Sequence, residues 1–332
     1  KFLSGIFDLS PLTALIAFSL TIVAYSSLGG FRGSIYTDVV QAFVRIIGTA
    51  LALGAVTWFA MRDPSAFSAN IEAAGPGFLS AFPGASWLAI GGFVAGYACA
   101  AIGFGLGQPQ IVTRYLAGAS PAETKAARWI YIGFLQLTWI AMTLFGIVLR
   151  GVMPGIEDPE TGLSLFFVTH MGAIVTGIIF ADVFATIAST SNGILVSIAQ
   201  SVRRDLLAGL FGAQRNFSLA AMTALTFLIG AGTIALSFVL PGNVFSIAID
   251  AVSKIGAGLA GPVMIRVFHW RHTALSLLLA LIAGVCAAFI WSGLGYAAIM
   301  NEAGAGIAVS LAVNWLVARP SLGRGRSGAV GA

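Results

Sequence analysis

Charge is what this chain has least of. Lys, Arg, Asp and Glu together make up 9% of its 332 residues, against about 25% in a soluble domain. So few charges cannot cover a water-exposed surface, which excludes a soluble enzyme or a soluble binding module. Cysteine is nearly absent as well. Cys99 and Cys286 both sit in apolar runs, which argues against a disulfide framework or a zinc site. There is no HExxH, no GxSxG and no Walker loop, so an intramembrane or ATP-driven enzyme is disfavoured. His170, His269 and His272 stand near the ends of apolar runs, without ligand spacing to cysteines or acids. The net charge of +5 needs no nucleic acid to explain it, because loops on the cytoplasmic side of a membrane protein collect positive charge.

What is present is hydrophobicity and glycine. Hydrophobic residues make up 58% of the chain, and 41 residues are glycine, a pairing that closely packed membrane helices tolerate. A bilayer crossing needs about 20 apolar residues. Nine such runs are read, at roughly 10–30, 36–61, 86–116, 128–149, 172–202, 218–240, 243–267, 273–295 and 300–318. The expected fold is all-α, a polytopic membrane helix bundle. Taking the connections alternately, one side holds Arg32, Arg114, Lys125, Arg128, Arg203, Arg204, Arg215, Arg266, Arg271, Arg319, Arg324 and Arg326. The other side holds Lys1, Arg62 and Arg150. This bias predicts a multi-pass protein of the cell (inner) membrane with a cytoplasmic C-terminus. "SPAE" at 120–123 reads as a capping box with proline at the first helical position. The run 172–204 is about 50 Å long as a helix, so its "SVRRD" end should project beyond the bilayer core. The Gly/Arg-rich end, 319–332, reads as a disordered cytoplasmic tail.

Three polar features interrupt the apolar runs. In "DVFATIASTSN" (182–192), Thr186, Ser189 and Thr190 are spaced i, i+3, i+4 and share one helix face, with Asp182 one turn earlier. Hydroxyl and carbonyl oxygens suit small hard cations. The competing reading is helix packing, with the hydroxyls bonded back to their own helix. Asp182 tips the balance toward function, since an intramembrane acid is functional by default. In "GFGLGQPQ" (103–110), Gly103, Gly105, Gly107 and Pro109 predict a broken helix. Broken helices near the midplane point to a transporter's solute site, and a plain kink with close packing is the alternative. In "IDAVSKIG", Asp250 and Lys254 fall at i, i+4. They read as a mutually neutralised pair, or as Lys254 holding a substrate carboxylate. Arg45, about two turns past Asp38, is read as snorkelling or pairing, and no chemistry is assigned to it.

Four stretches carry a family resemblance. "YSSLGGFRGSIYTDVVQ" (25–41), "GFGLGQPQIVTRYLA" (103–117), "ASTSNGILVSIAQSVRRDL" (188–206) and "GLAGPVMIRVFHWR" (258–271) resemble segments of the sodium:solute symporter family, closest to its sodium/proline branch. The resemblance implies a leucine-transporter-type core of two inverted repeats, here incomplete, with about nine transmembrane helices. Residues 10–61 would be the last two helices of repeat one, 86–267 repeat two, and 273–318 two extra C-terminal helices. On this reading the chain is a C-terminal fragment that lacks the first core helices.

The function implied is sodium-coupled secondary active symport of a small organic solute, an amino acid such as proline or a related carboxylate, with one bundle rocking against the rest. Sodium would be the coupling ion, and no organic cofactor is called for. The partners implied are the solute and the lipid bilayer, with no nucleic acid; the oligomeric state is left open. Carried over by position, Ser189 and Thr190 match the family's sodium-ligating hydroxyls. Thr186 falls where a backbone carbonyl is used, and Asp38 matches an acid on the sodium exit path. Asp182 joins them as a further candidate ligand. Ala101, Phe104, Gly105, Gln108, Ser253 and Lys254 are the candidate solute-binding residues. Ala101 and Gly105 stand where proline-transporting members place Trp and Tyr. Asp182, Asp250, Lys254 and the Asn192–Gly193 pair are also off the family pattern. Proton coupling through Asp182 or Asp250, a solute sensor that does not transport and a passive channel are the rival readings.

Overall fold

The computed structural model describes residues 9–82, 85–207, 209, 218–239 and 244–318. The tail 319–332, and Lys1, Arg215, Arg319, Arg324 and Arg326 of the charge count, lie outside these residues. Among the described residues the secondary structure is helical throughout. Seven helices are long and apolar enough to cross a membrane, and Leu12–Ser27 and Glu302–Val317 are shorter apolar helices. All nine expected runs are therefore helical, seven of them at spanning length.

The chain divides into two compact units, Lys1–Pro83 with Thr113–Leu240, and Gly84–Val112 with Pro241–Ala332. The first unit is built on α1 (Pro11–Arg62), α2 (Pro64–Ala73), α5 (Pro121–Val152), α6 (Gly162–His170), α7 (Ala173–Ser201) and α8 (Leu219–Ser237). Ser10 caps α1 by accepting from the Thr13 N–H, with Pro11 at the first helical position. At the far end Asp63 accepts from the Ala66 N–H and starts α2, again with a proline behind it. In the expected capping box, Ser120 accepts from the Glu123 N–H at 3.2 Å. The reciprocal bond from Glu123 lands one residue upstream, on the Ala119 N–H at 3.1 Å. α7 continues without interruption through a wider turn, Val202–Leu207, so the long fifth run is one helix of 35 residues.

The first two expected runs, 10–30 and 36–61, are not separated by a loop. They form the single helical element α1. No proline falls between Leu12 and Arg62, and Gly29, Gly30 and Gly33 weaken a helix without removing its N–H groups. The contacts of α1 with α7 nevertheless reverse order along the chain. The Phe18 ring meets Phe184 with centroids 4.9 Å apart, and the Tyr25 hydroxyl donates to the Ala188 carbonyl at 2.6 Å. Beyond the glycines, Asp38 meets Ser189 and Arg45 meets Asp182. The first arm of α1 thus runs along α7 in one sense and the second arm in the other, as two spans would.

Each arm has its own apolar core. Ile22 and Val23 pack with Ala188 and Leu195. Ala52 and Val56 pack with Phe145, Leu149, Phe166, Phe167 and Ile179. Burying a side chain of this size contributes about 1.5–3 kcal/mol in water. Within lipid that drive falls away, and close packing carries the association instead.

The second unit comprises α3 (Trp87–Gly107), α9 (Val244–Val267), α10 (Ala274–Gly293) and α11 (Glu302–Val317). Small residues set its spacing. A Cβ on Gly103 would lie 2.7 Å from the Gly256 Cα, and one on Gly256 would lie 2.8 Å from the Gly103 Cα. Backbone therefore touches backbone where α3 crosses α9. Gly284 of α10 and Gly306 of α11 likewise face Ala257 of α9 with no room for a side chain. Buried hydrogen bonds fix the register: Ser276 Oγ donates to Asn314 Oδ1 at 2.8 Å, and Asn301 Nδ2 donates to Ser253 Oγ at 2.9 Å.

Candidate functional site

The predicted break in the third run is present. α3 ends at Gly107, Gln108 is extended at φ −89° and ψ 109°, and α4 (Pro109–Leu116) begins at the proline. A residue before proline is pushed out of the helical region, which places the break at Gln108. Gln108 is 7% exposed, and its Oε1 accepts from Gln110 Nε2 at 2.8 Å. The glycines play two different parts. Gly103 and Gly107 pack on α9, whereas Gly105 has open space beside it. Ala101 and Gly105 are exposed and Phe104 is half-buried.

The other two candidate solute-binding residues are already engaged. Ser253 is fully buried beneath Asn301. Lys254 pairs with Asp250 one turn away and stands 3.8 Å from Glu302 Oε1. The pairing of Asp250 with Lys254 was legible from their spacing. The approach of Glu302, 48 residues further on, was not.

The polar stripe of α7 faces the second arm of α1. Ser189 Oγ donates to Asp38 Oδ1 at 2.5 Å. The second oxygen of Asp38 takes the Arg114 guanidinium, which also donates to Ser34 Oγ at 3.3 Å. Gly193, one turn past Ser189, leaves the space the guanidinium uses: a Cβ there would lie 3.1 Å from Arg114 Nη2. Two turns before Ser189 on α7, Asp182 is 3% exposed. Arg45 Nη1 lies 3.5 Å from both of its carboxylate oxygens and 3.3 Å from Thr186 Oγ1. A Cβ on Gly48 would collide with that carboxylate, so Asp182 fits against α1 only because position 48 has no side chain.

The three expected hydroxyls therefore differ. Ser189 shares a carboxylate with an arginine. Thr186 donates to the Asp182 carbonyl at 2.9 Å and accepts from Arg45. Thr190 is exposed and bonds back to the Thr186 carbonyl at 3.0 Å, the local pattern that competes with ligation. Asn192, also on α7, is 2% exposed, and its Oδ1 has no hydrogen-bond partner among the described residues. Sequence reasoning passed over Arg114, and it read Arg45 as snorkelling or pairing without naming the partner that the structure gives it, Asp182. Arg114 sat in a quoted motif, and Arg45 stands seven residues past Asp38 on the same face of α1. An acid and a base on one face opposite a second acid is a pattern that could have been read.

Taken together, the unit presents two carboxylates, each paired with a guanidinium, on a seam of hydroxyls inside an apolar helix pair. Such groups are costly in a bilayer and mark ion and substrate pathways. Residues 1–284 match the sodium:solute symporter family. The chain belongs to that family, whose members are transporters rather than enzymes.

It is 28% identical over 300 residues to the high-affinity proline transporter PutP of Bacillus subtilis, covering 87% of this chain and 61% of that protein. It is 26% identical over 291 residues to the sodium/pantothenate symporter of Escherichia coli, covering 82% of this chain and 56% of that one. A solved Na+-coupled sialic acid symporter in a substrate-bound outward-open state shares the fold, with a TM-score of 0.72 at 20% identity, over 95% of this chain and 68% of that one. The chain thus spans about 56–61% of the length of these curated relatives. Proline and pantothenate transporters match at nearly equal identity, so the relatives define the family and not the sodium/proline branch.

Proposed function

We propose that this chain forms part of a sodium-coupled symporter that carries a small organic solute, an amino acid or a related carboxylate, across the cell membrane. The observation that carries the reading is the meeting of Ser189 with Asp38 across two membrane helices, in a chain of this family. Both supply hard oxygens of the type a small cation prefers. Sodium is cargo here, and Asp38 with Ser189 would contact it. Thr186, Thr190 and Asp182 are the further candidates on the same helix. Arg114 already neutralises Asp38, so an entering sodium ion competes with a tethered cation for one carboxylate.

The incomplete inverted-repeat core, with 10–61, 86–267 and 273–318 as its parts, belongs to the same proposal, and the structural likeness supports it. The Lys/Arg bias supports a cytoplasmic C-terminus. The break at Gln108, with open space beside Gly105, supports the solute site. Each sodium moving down about 100 mV releases about 2.3 kcal/mol. At about 1.4 kcal/mol per decade, that sustains roughly 50-fold accumulation.

The test is uptake of labelled proline and of pantothenate by the full-length protein in proteoliposomes. A sodium gradient should drive uptake above equilibrium, and Ser189→Ala should raise the sodium concentration for half-maximal rate by about tenfold. Uptake indifferent to replacing sodium by choline, yet lost in Asp182→Asn, would transfer the coupling to protons.

A further inference from the structure

The second unit contains a cavity of about 320 Å³ that none of the sodium residues touches. Phe93 and Tyr97 of α3 line it, together with Asp250 of α9, Ser292 at the end of α10, and Asn301 and Glu302 at the start of α11. Small-molecule sites begin at about this size. The Phe93 and Tyr97 rings lie 4.4 Å apart between centroids, at 34° to one another. Stacked this closely, the two rings cover one another's inner faces, so each has only its outer face, which carries the negative end of its quadrupole, left for a ligand.

Charge at the cavity does not balance. Among the described residues, Asp250 and Glu302 share a single cation, Lys254. Lys254 contacts Asp250 directly and reaches Glu302 at 3.8 Å, with its ammonium also 5.1 Å from the centre of the Phe289 ring. The Glu302 side chain is 6% exposed, and among the described residues no hydrogen bond reaches its carboxylate. Its place in the first turn of α11 offsets part of the burial cost. A buried carboxylate whose nearest cation stands at 3.8 Å and is shared with a second acid remains under-compensated. An excess of one negative charge beside paired aromatic rings is the chemistry that recognises an organic ammonium group. An anionic solute is repelled there, and a neutral one gains no charge–charge attraction from the carboxylates.

We infer that this cavity is a binding site for a small organic cation, an amine or quaternary ammonium compound. Asp250 and Glu302 supply the charge, and Phe93 and Tyr97 the ring faces. The inference does not depend on sodium coupling and stands or falls without it.

The experiment is calorimetric titration of the full-length protein in lipid nanodiscs with tetramethylammonium chloride at fixed total chloride, with sodium as the balancing ion and tert-butanol as a neutral analogue of similar size. Saturable binding of tetramethylammonium and none of tert-butanol is expected. Asp250→Asn and Glu302→Gln should each weaken binding at least tenfold, and Tyr97→Leu at least threefold. Asp250→Glu, which keeps the charge, should stay within a few-fold of the parent. The inference is overturned by absence of saturable binding, by equal binding of tert-butanol, or by unchanged affinity in both acid variants. Loss in Asp250→Glu as complete as in Asp250→Asn also overturns it, because charge would then not be the determinant.

Discussion

Replacing Arg45 with methionine strips the guanidinium from a carboxylate that is only 3% exposed. The two groups are 3.5 Å apart. At an effective dielectric constant of about 20, two unit charges at that distance attract by about 4–5 kcal/mol. Most of this is offset in the intact protein by the cost of desolvating both groups, so the pair adds little net stability. Removing one partner is different, because the desolvation of Asp182 remains and its compensation is gone. Such losses run to about 3–5 kcal/mol. Arg45 keeps about a fifth of its side chain exposed, which places the expected cost of Arg45→Met at the lower end, about 3 kcal/mol. The double variant Arg45→Met with Asp182→Leu should recover most of that loss, since no unpaired charge remains. The assay is a double-mutant cycle on thermal or denaturant unfolding in detergent, with a coupling energy of about 2–3 kcal/mol expected. If the double variant is as unstable as the sum of the singles, or if Arg45→Met unfolds like the parent, the pair does not join α1 to α7 as described.

The remaining predictions concern other contacts. Gly48→Ala drives a methyl group into the Asp182 carboxylate and should cost about 1–3 kcal/mol, read from the same unfolding curves; a neutral result would mean that α1 and α7 stand further apart. Gly103→Ala meets the Gly256 backbone at 2.7 Å and should lower the melting temperature, whereas Gly105→Ala, with open space, should leave it unchanged. The Asp63 carboxyl is held below the usual aspartate range, chiefly by the Ala66 N–H and then by the Ser65 hydroxyl. Its contribution to α2 is therefore complete above the ordinary aspartate range and declines as pH falls through the lowered folded value. Hydrogen exchange at the Ala66 amide should accelerate in that acid window in the parent and not in Asp63→Asn; identical profiles would refute the cap.

Helix identity was legible because it rests on composition and run length, which a bilayer constrains strongly. Gln108 was legible as a break for a similarly local reason, since proline acts on its immediate neighbour. The join between the first two runs was not. Glycine lowers helix propensity without forbidding a helix, and nothing in "LGGFRG" decides between a loop and a bent helix. At the sodium seam, the spacing of Thr186, Ser189 and Thr190 placed them on one face but could not say which hydroxyls a neighbour would claim. Thr186 and Ser189 met Arg45 and Asp38, and Thr190 met its own helix. The first two pairings span 141 and 151 residues, and a single sequence carries no signal for contacts of that range. Glu302 was missed for the same reason, since it joins the Asp250–Lys254 pair only through the packing of α11 on α9.

The doubling of α1 along α7 has a consequence for biogenesis. Asp38 and Arg45 emerge from the ribosome well before the residues that receive them, Ser189 and Asp182. At about 5–20 residues per second, a separation of 137 residues is a wait on the order of ten seconds. Asp38 gains Arg114 after 76 residues, but Arg45 spends the whole interval in a nascent membrane segment without its final partner. The segment must therefore be held in a polar shelter, or remain at the headgroup boundary, until its later-made neighbour arrives.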